Sequence, residues 1–158
     1  MQDQALKSYL EKLGISYKEY GHKPVFTVDE AAFLKNEIPG MHTKNLFLKD
    51  DRGNFYLVCI AAEKRLDMKA LRKRLGAGKL QFATPEEMKA ELNLTPGSVS
   101  LFGIIYSKRT RLLLDKDIWD AAIVSFHANI NTETLELRHE GLEKFYNSLR
   151  NAKEIMVI

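Results

Sequence analysis

Lys44 and Asn45 stand immediately before the apolar run Leu46-Phe47-Leu48 and just after a Pro39-Gly40 turn. An ammonium at the mouth of a strand adds little to packing, but it is well placed to meet an anion or a carbonyl oxygen. Two further polar groups fall where strands are expected to begin or end: Gly97-Ser98-Val99-Ser100, and His127 followed by Asn131-Thr132. A glycine in such a loop lets backbone N–H groups approach a ligand closely, because no Cβ stands in the way. A histidine titrates near neutral pH and can serve as acid or base, or simply shape a pocket. Each group also has a plain structural reading: a solvated strand start for Lys44, a turn for Gly97 and for Asn131-Thr132, a backbone-bonded histidine for His127. What raises them above it is their joint order along the chain.

Other chemistries find little support. The chain has no G-x-S-x-G elbow, P-loop, G-x-G-x-x-G or H-E-x-x-H. His22, His42, His127 and His139 are far apart in sequence and no cysteine pair accompanies them, so neither a metal site nor a cofactor is expected. Cys59, the single cysteine, lies between Val58 and Ile60 and reads as a small core hydrophobe rather than a nucleophile.

At 158 residues the chain is expected to form one domain, residues 1–158, with ordinary hydrophobic and charged content for a globular protein. The start, Met1-Gln2-Asp3-Gln4, lacks a basic region leading into an apolar stretch, and no apolar run reaches membrane-spanning length, which makes a cytoplasmic location the expectation. The net charge of +3 says little about partners. Its distribution says more: Lys64, Arg65, Lys69, Arg72, Lys73, Arg74 and Lys79 are opposed only by Glu63 and Asp67, and Lys108-Arg109-Thr110-Arg111 forms a second cluster. Either cluster alone reads as a solvated face. Together they suggest a phosphate-bearing partner, held by sequence-independent, salt-sensitive contacts.

These groups must be positioned by regular elements. Ala5, Leu6, Tyr9, Leu10 and Leu13 recur at helical spacing before Gly14, and Ile15 to Tyr20 alternates as a short strand. Thr27 and Glu30 stand in capping-box relation ahead of a helix through Ala31, Ala32 and Leu34. Leu46 to Lys49 and Phe55 to Ala61 flank Asp50-Asp51-Arg52-Gly53-Asn54, turn chemistry for a hairpin expected at the centre of a sheet. Leu66 to Leu75 is a basic helix stopped by Gly76, and Thr84-Pro85-Glu86-Glu87 opens another that runs to about Leu92. Val99 to Tyr106 and Arg111 to Leu114 read as a second strand pair, and Asp115 to Ala121 as a short helix or turn. Ala122 to Phe126 and Thr132 to Leu137 are strands with a tight connection at Ala128 to Asn131. A last helix spans Glu140 to Leu149, followed by an edge strand at Ile155 to Ile158. Strands and helices mix without a strict βαβ repeat, so the expected fold is α+β: a mixed β-sheet with flanking helices in one domain.

Four ordered blocks spanning nearly the whole chain carry a resemblance. They are Pro24-Val25-Phe26-Thr27-Val28 with Glu30-Ala31, Thr43-Lys44-Asn45-Leu46-Phe47-Leu48, Leu94-Thr95-Pro96-Gly97-Ser98-Val99-Ser100, and Phe126-His127 with Asn131-Thr132. In them the sequence resembles the YbaK and prolyl-tRNA-synthetase-associated editing domain family, and most nearly its free-standing alanyl-tRNA(Pro) deacylases. The resemblance implies a mixed sheet with a pocket for the aminoacylated 3′ end of tRNA(Pro), and hydrolysis of the ester that joins a mischarged small amino acid to the terminal ribose. It implies Lys44 and His127 as catalytic residues, and Asn45, Gly97, Ser98, Val99, Ser100, Asn131 and Thr132 as substrate-binding residues. Arg72, Lys73, Arg74, Lys108 and Arg109 become candidates for the acceptor stem, and prolyl-tRNA synthetase a candidate partner. The chain departs from the family where Ser100-Leu101 replaces the common Thr-Pro and His127-Ala128 the common His-Pro. Cysteine or serine therefore stands as an alternative to alanine, and a non-catalytic tRNA-binding module of the same fold as an alternative to an enzyme.

Overall fold

The computed structural model describes residues 1–25 and 28–158. The anticipated hairpin lies at its centre, formed by antiparallel β2 (Met41–Asp50) and β3 (Phe55–Ala61). Asp50 closes the turn: its carboxylate accepts the backbone N–H groups of Arg52 and Asn54, the Asn54 amide and the Tyr56 hydroxyl, each at 2.9 Å. Gly53, at φ +82°, supplies the left-handed residue of the turn.

Around this hairpin the sheet runs β1-β7-β6-β2-β3-β5-β8, with β4 (Leu80–Phe82) paired to the far end of β2. Here β1 is Tyr17–Gly21, β5 Arg111–Asp115, β6 Ile123–His127, β7 Glu133–Arg138 and β8 Lys153–Met156. β2 joins β6 in parallel through Met41 and His42, and β3, β5 and β8 are also parallel, so the sheet is mixed as expected. The helices are α1 (Gln4–Lys12), α2 (Val28–Glu37), α3 (Met68–Leu75), α4 (Pro85–Leu92), α5 (Lys116–Asp120) and α6 (His139–Ser148).

Side chains alternate along each strand, and the two faces carry different cores. Phe47 of β2, Phe126 of β6 and Leu135 and Leu137 of β7 enter the larger cluster, beneath Leu6 and Leu10 of α1 and Leu142 and Phe145 of α6. Leu46 and Leu48 of β2 and Val58 and Ile60 of β3 enter the smaller one, covered by Leu71 of α3. Cys59 is fully buried in the larger cluster, where burial pushes its thiol up and leaves it inert.

Two expectations need correction, and one strand was not anticipated. Residues 101–106 form a 3-10 helix rather than a strand. Residues 101–104 are buried one after another, so strand and helix periodicities look alike, and the Ser100 hydroxyl caps the backbone at Phe102 N (3.1 Å). A Cβ at Gly103 would stand 2.5 Å from Leu94 Cδ1, so this helix packs against the residues after α4 only because glycine is there. β2 begins at Met41, which puts Lys44 inside the strand rather than at its mouth. β4 was not legible at all: three residues are too few for a period. The Thr27–Glu30 capping box lies outside the described residues.

Candidate active site

β6 and β7 each turn two polar residues away from the larger core. Ser125 pairs with Glu136, and His127 with Thr134, so all four share one face of the hairpin. His42, in parallel register with Ser125, continues that face onto β2. Across it lie α2, which presents Ala31, Leu34 and Lys35, and Ile38 just beyond its end. The space between is a cavity of about 420 Å³, walled also by Thr43, Ser125, Phe126, His127 and Thr134. At its mouth Lys35 of α2 forms an ion pair with Glu63, just beyond β3.

Three histidines distant in sequence come together here, His42 and His127 in the cavity wall and His22 behind it against Thr134. The His22 and His127 rings lie 6.1 Å apart, and His42 lines the same cavity. Hydrogen bonds fix the tautomers of His22 and His42. A carbonyl only accepts, so His22 Nδ1–H donates to Lys23 O (2.8 Å) and His42 Nε2–H donates to Ile38 O (2.8 Å). Neutral His22 must then accept at Nε2 from the Thr134 hydroxyl (2.8 Å). His127 Nδ1 is buried and makes no hydrogen bond among the described residues. In its Nε2–H tautomer neutral His127 has a donor to offer the cavity it lines. Burial first, then His22 and His42, push its pKa below the ordinary imidazole value, against the opposing pull of the Glu133 backbone carbonyl, which favours the charged ring. No group of three or more His, Cys, Asp or Glu suited to a metal ion occurs among the described residues.

Of the site residues expected from the sequence, His127 is the one that lines the cavity. Lys44 stands on the same sheet face, next to His42 and paired with Ile60 across the hairpin; it is half-buried and makes no hydrogen bond or ion pair among the described residues. Asn45 points to the opposite face, and its Oδ1 is buried without a partner. Ser100 is fully buried and donates from Oγ to the His127 carbonyl (2.6 Å) while accepting from Phe102 N. Its one hydroxyl proton is committed to holding the end of β6 and the side chain is fully enclosed, so it faces the protein rather than a ligand. Gly97 is explained by its backbone, φ +89°, rather than by close approach: nothing lies within 4 Å of where a Cβ would stand. Ser98 is buried and its N–H bonds Thr95 O (3.0 Å), while Val99 packs on the larger core. Asn131 and Thr132 form the β6–β7 turn, where Thr132 O accepts the His22 backbone N–H at 2.9 Å.

The basic candidates divide in two. Arg109 is ion-paired to Glu91 and lies 4.8 Å above the Phe55 ring; Arg74 donates to Val157 O; half-buried Arg72 turns toward Ala77 O (3.4 Å) and Gly78 O (3.5 Å). Lys73 and Lys108 are exposed and unpaired among the described residues. His22, His42, Thr43, Ser125 and Thr134 were missed by sequence reasoning. The signal for two of them was present: polar residues at every second position of Ser125–His127 and Thr134–Glu136, inside otherwise apolar strands.

The profile of the aminoacyl-tRNA editing domain family matches residues 22–145. The chain belongs to that family. The prolyl-tRNA editing protein ProX of Acetoanaerobium sticklandii is 34% identical over 151 residues, covering 94% of this chain and 92% of that protein. The prolyl-tRNA synthetase associated domain-containing protein 1 of Danio rerio is 26% identical over 155 residues, covering 96% and 84%. Among solved structures, a proposed trans-editing enzyme for prolyl-tRNA synthetase superposes with a TM-score of 0.72 over 95% of this chain and 94% of its own, at 22% identity. A hypothetical protein superposes at 0.75 over 93% and 97%, at 20% identity. These last two bear on the fold: the editing-domain architecture is that of the α+β sheet described above.

Proposed function

We propose that this editing domain works in trans as a deacylase, hydrolysing the ester of alanine mischarged onto tRNA(Pro). The observation that carries the reading is a cavity with His127, Ser125, Thr43 and Thr134 in its wall, in a chain that aligns almost end to end with a prolyl-tRNA editing protein. An aminoacyl ester is already an activated acyl group, so the site has to hold it, polarise its carbonyl and admit water. Water adds to the carbonyl carbon, the bond to the ribose oxygen breaks, and free alanine and a 3′-terminal hydroxyl result. Nothing in this sequence of steps needs a covalent nucleophile, and inert Cys59 supplies none.

In this reading the His127 Nε2–H donates to the ester carbonyl, where a single such donor is worth about 10²- to 10³-fold in rate. Lys44, unpaired on the cavity's face, meets the terminal phosphate or the developing oxyanion. The ribose 2′-hydroxyl positions the water. The backbone of Gly97 to Val99 and the Asn131-Thr132 turn frame the end of β6, while Asn45, enclosed on the other face of β2, takes no part in holding the ester. Lys73 and Lys108 are the cations free to meet the acceptor stem, with Arg72 able to join them; Arg74 and Arg109 are engaged within the protein. Prolyl-tRNA synthetase, the source of the error, is the partner this reaction implies.

The test is release of alanine from Ala-tRNA(Pro) under multiple turnover, with Lys44→Ala as the control. The reading expects turnover by the wild type and its loss in the variant at unchanged thermal stability. Binding of tRNA without turnover would return the chain to a non-catalytic module.

A further inference from the structure

The aminoacyl ester differs from any other ester at a nucleic-acid terminus in one respect: the carbon next to its carbonyl bears an ammonium. A binding site for that group needs hydrogen-bond acceptors close to whatever holds the carbonyl, and a negative rather than a positive field behind them. On the reading that this cavity takes an aminoacyl end, we infer that Thr134, oriented by His22, is the acceptor that recognises the α-ammonium.

Thr134 is the cross-strand partner of His127, so the two side chains leave the same face of the hairpin with Cβ atoms about 4.5–5.5 Å apart. A carbonyl oxygen and an α-nitrogen on neighbouring carbons of the substrate have to be met by adjacent protein groups, and His127 and Thr134 are such a pair, both lining the cavity. The polarity of Thr134 is set from behind. Because His22 Nδ1–H is committed to Lys23 O, its Nε2 must accept the one hydroxyl proton of Thr134, and the lone pairs of Thr134 Oγ1 are left for the cavity. His22 is itself fixed, since its backbone N–H bonds Thr132 O at 2.9 Å.

A second observation favours a cationic ligand. Glu136, two residues along β7 on the same face, is buried, bonded by the Tyr20 hydroxyl at 3.0 Å, and makes no ion pair among the described residues, Lys18 opposite it on β1 included. An unpaired carboxylate on that face favours positive charge near it. Glu63, which lines the cavity, is already paired with Lys35.

The experiment compares alanyl-tRNA(Pro) with lactyl-tRNA(Pro), made from it by deamination, in which a hydroxyl of similar size replaces the ammonium. The wild type is expected to prefer the alanyl ester in kcat/KM by about 10- to 100-fold, the range for a hydrogen bond to a charged group. Thr134→Val should lower that preference about 10-fold or more, chiefly by slowing the alanyl ester. Thr134→Ser should keep the preference. His22→Ala should lower it about 2- to 10-fold by freeing the hydroxyl to rotate, and His22→Gln, whose amide oxygen still accepts from Thr134, should restore it. If the wild type does not distinguish the esters, or if Thr134→Val slows both alike, Thr134 is structural and the inference falls. If the wild type cleaves neither ester, the editing reading fails and takes this inference with it.

Discussion

Replacing Ser100 by alanine should be costly to stability and, through His127, to activity. Its hydroxyl is fully buried and makes two hydrogen bonds, donating to His127 O at 2.6 Å and accepting from Phe102 N at 3.1 Å. The second is a helix cap, whose loss costs about 0.5–2 kcal/mol. The first leaves a carbonyl without its partner where water does not reach, worth about 1–3 kcal/mol. The sum, allowing for partial relaxation, is about 2–4 kcal/mol. Urea unfolding followed by the fluorescence of Trp119, the single tryptophan, would read this as a lower midpoint at unchanged slope. Ser98→Ala is the matched control: its hydroxyl is also buried but has only a 3.4 Å contact with Thr95 Oγ1, so a loss below about 1 kcal/mol is expected. Deacylation by Ser100→Ala should fall as well, because the carbonyl it releases is that of His127. A stability loss under about 0.5 kcal/mol, or one no greater than that of Ser98→Ala, would refute the argument.

Protonation leaves the His127 Nε2–H in place but puts a positive charge into a buried ring near His22 and His42, and with its pKa held below the ordinary value the ring stays neutral as pH falls past about 6.5. The acidic limb of kcat/KM should therefore have its midpoint below that pH, and His127→Gln, which keeps an N–H donor that does not titrate, should abolish the limb; an unchanged limb in that variant would exclude His127 as its origin. Burial alone would raise the Asp50 pKa, but the hydrogen bonds from Asn54, Tyr56 and Arg52 outweigh it and hold it at about 2. Its stabilisation is therefore present above the unfolded carboxyl range and lost as pH falls through about 2, so the wild type should shed about 2 kcal/mol between pH 5 and 2 that Asp50→Asn does not. Stability curves that stay parallel over that range would contradict this. Reversing Lys73 and Lys108 should each lower the salt slope of tRNA binding by about one, whereas Arg109→Ala, already engaged with Glu91, should leave the slope within error.

Much of the fold was legible because its turns and caps are written in residues with little conformational choice. Gly53 and Gly76 adopt the left-handed backbone expected of them, and Thr84 with Glu87 forms the expected capping box. The 3-10 helix at Leu101–Tyr106 was not legible, since what decides it is tertiary: the Ser100 bond to the end of β6 and the room that Gly103 leaves Leu94. The site was legible in the same uneven way. His127 was singled out by its place at a strand end, but His22 and His42 reach it only through pairings between strands distant in sequence. Ser100 and Gly97 drew attention as ligand-facing groups because polar and flexible residues at loops look alike whether they bind a ligand or hold the loop. The basic clusters showed which side chains are charged, and only packing showed that Arg74 and Arg109 are already engaged.

The most direct test of trans-editing is a comparison, at one enzyme concentration, of tRNA(Pro) charged with alanine, serine, cysteine or proline. The account predicts rapid release of alanine and retention of proline, because size and polarity of the cavity between α2 and the β6–β7 floor decide what enters. Release of proline at the same rate as alanine, or of neither, would contradict it.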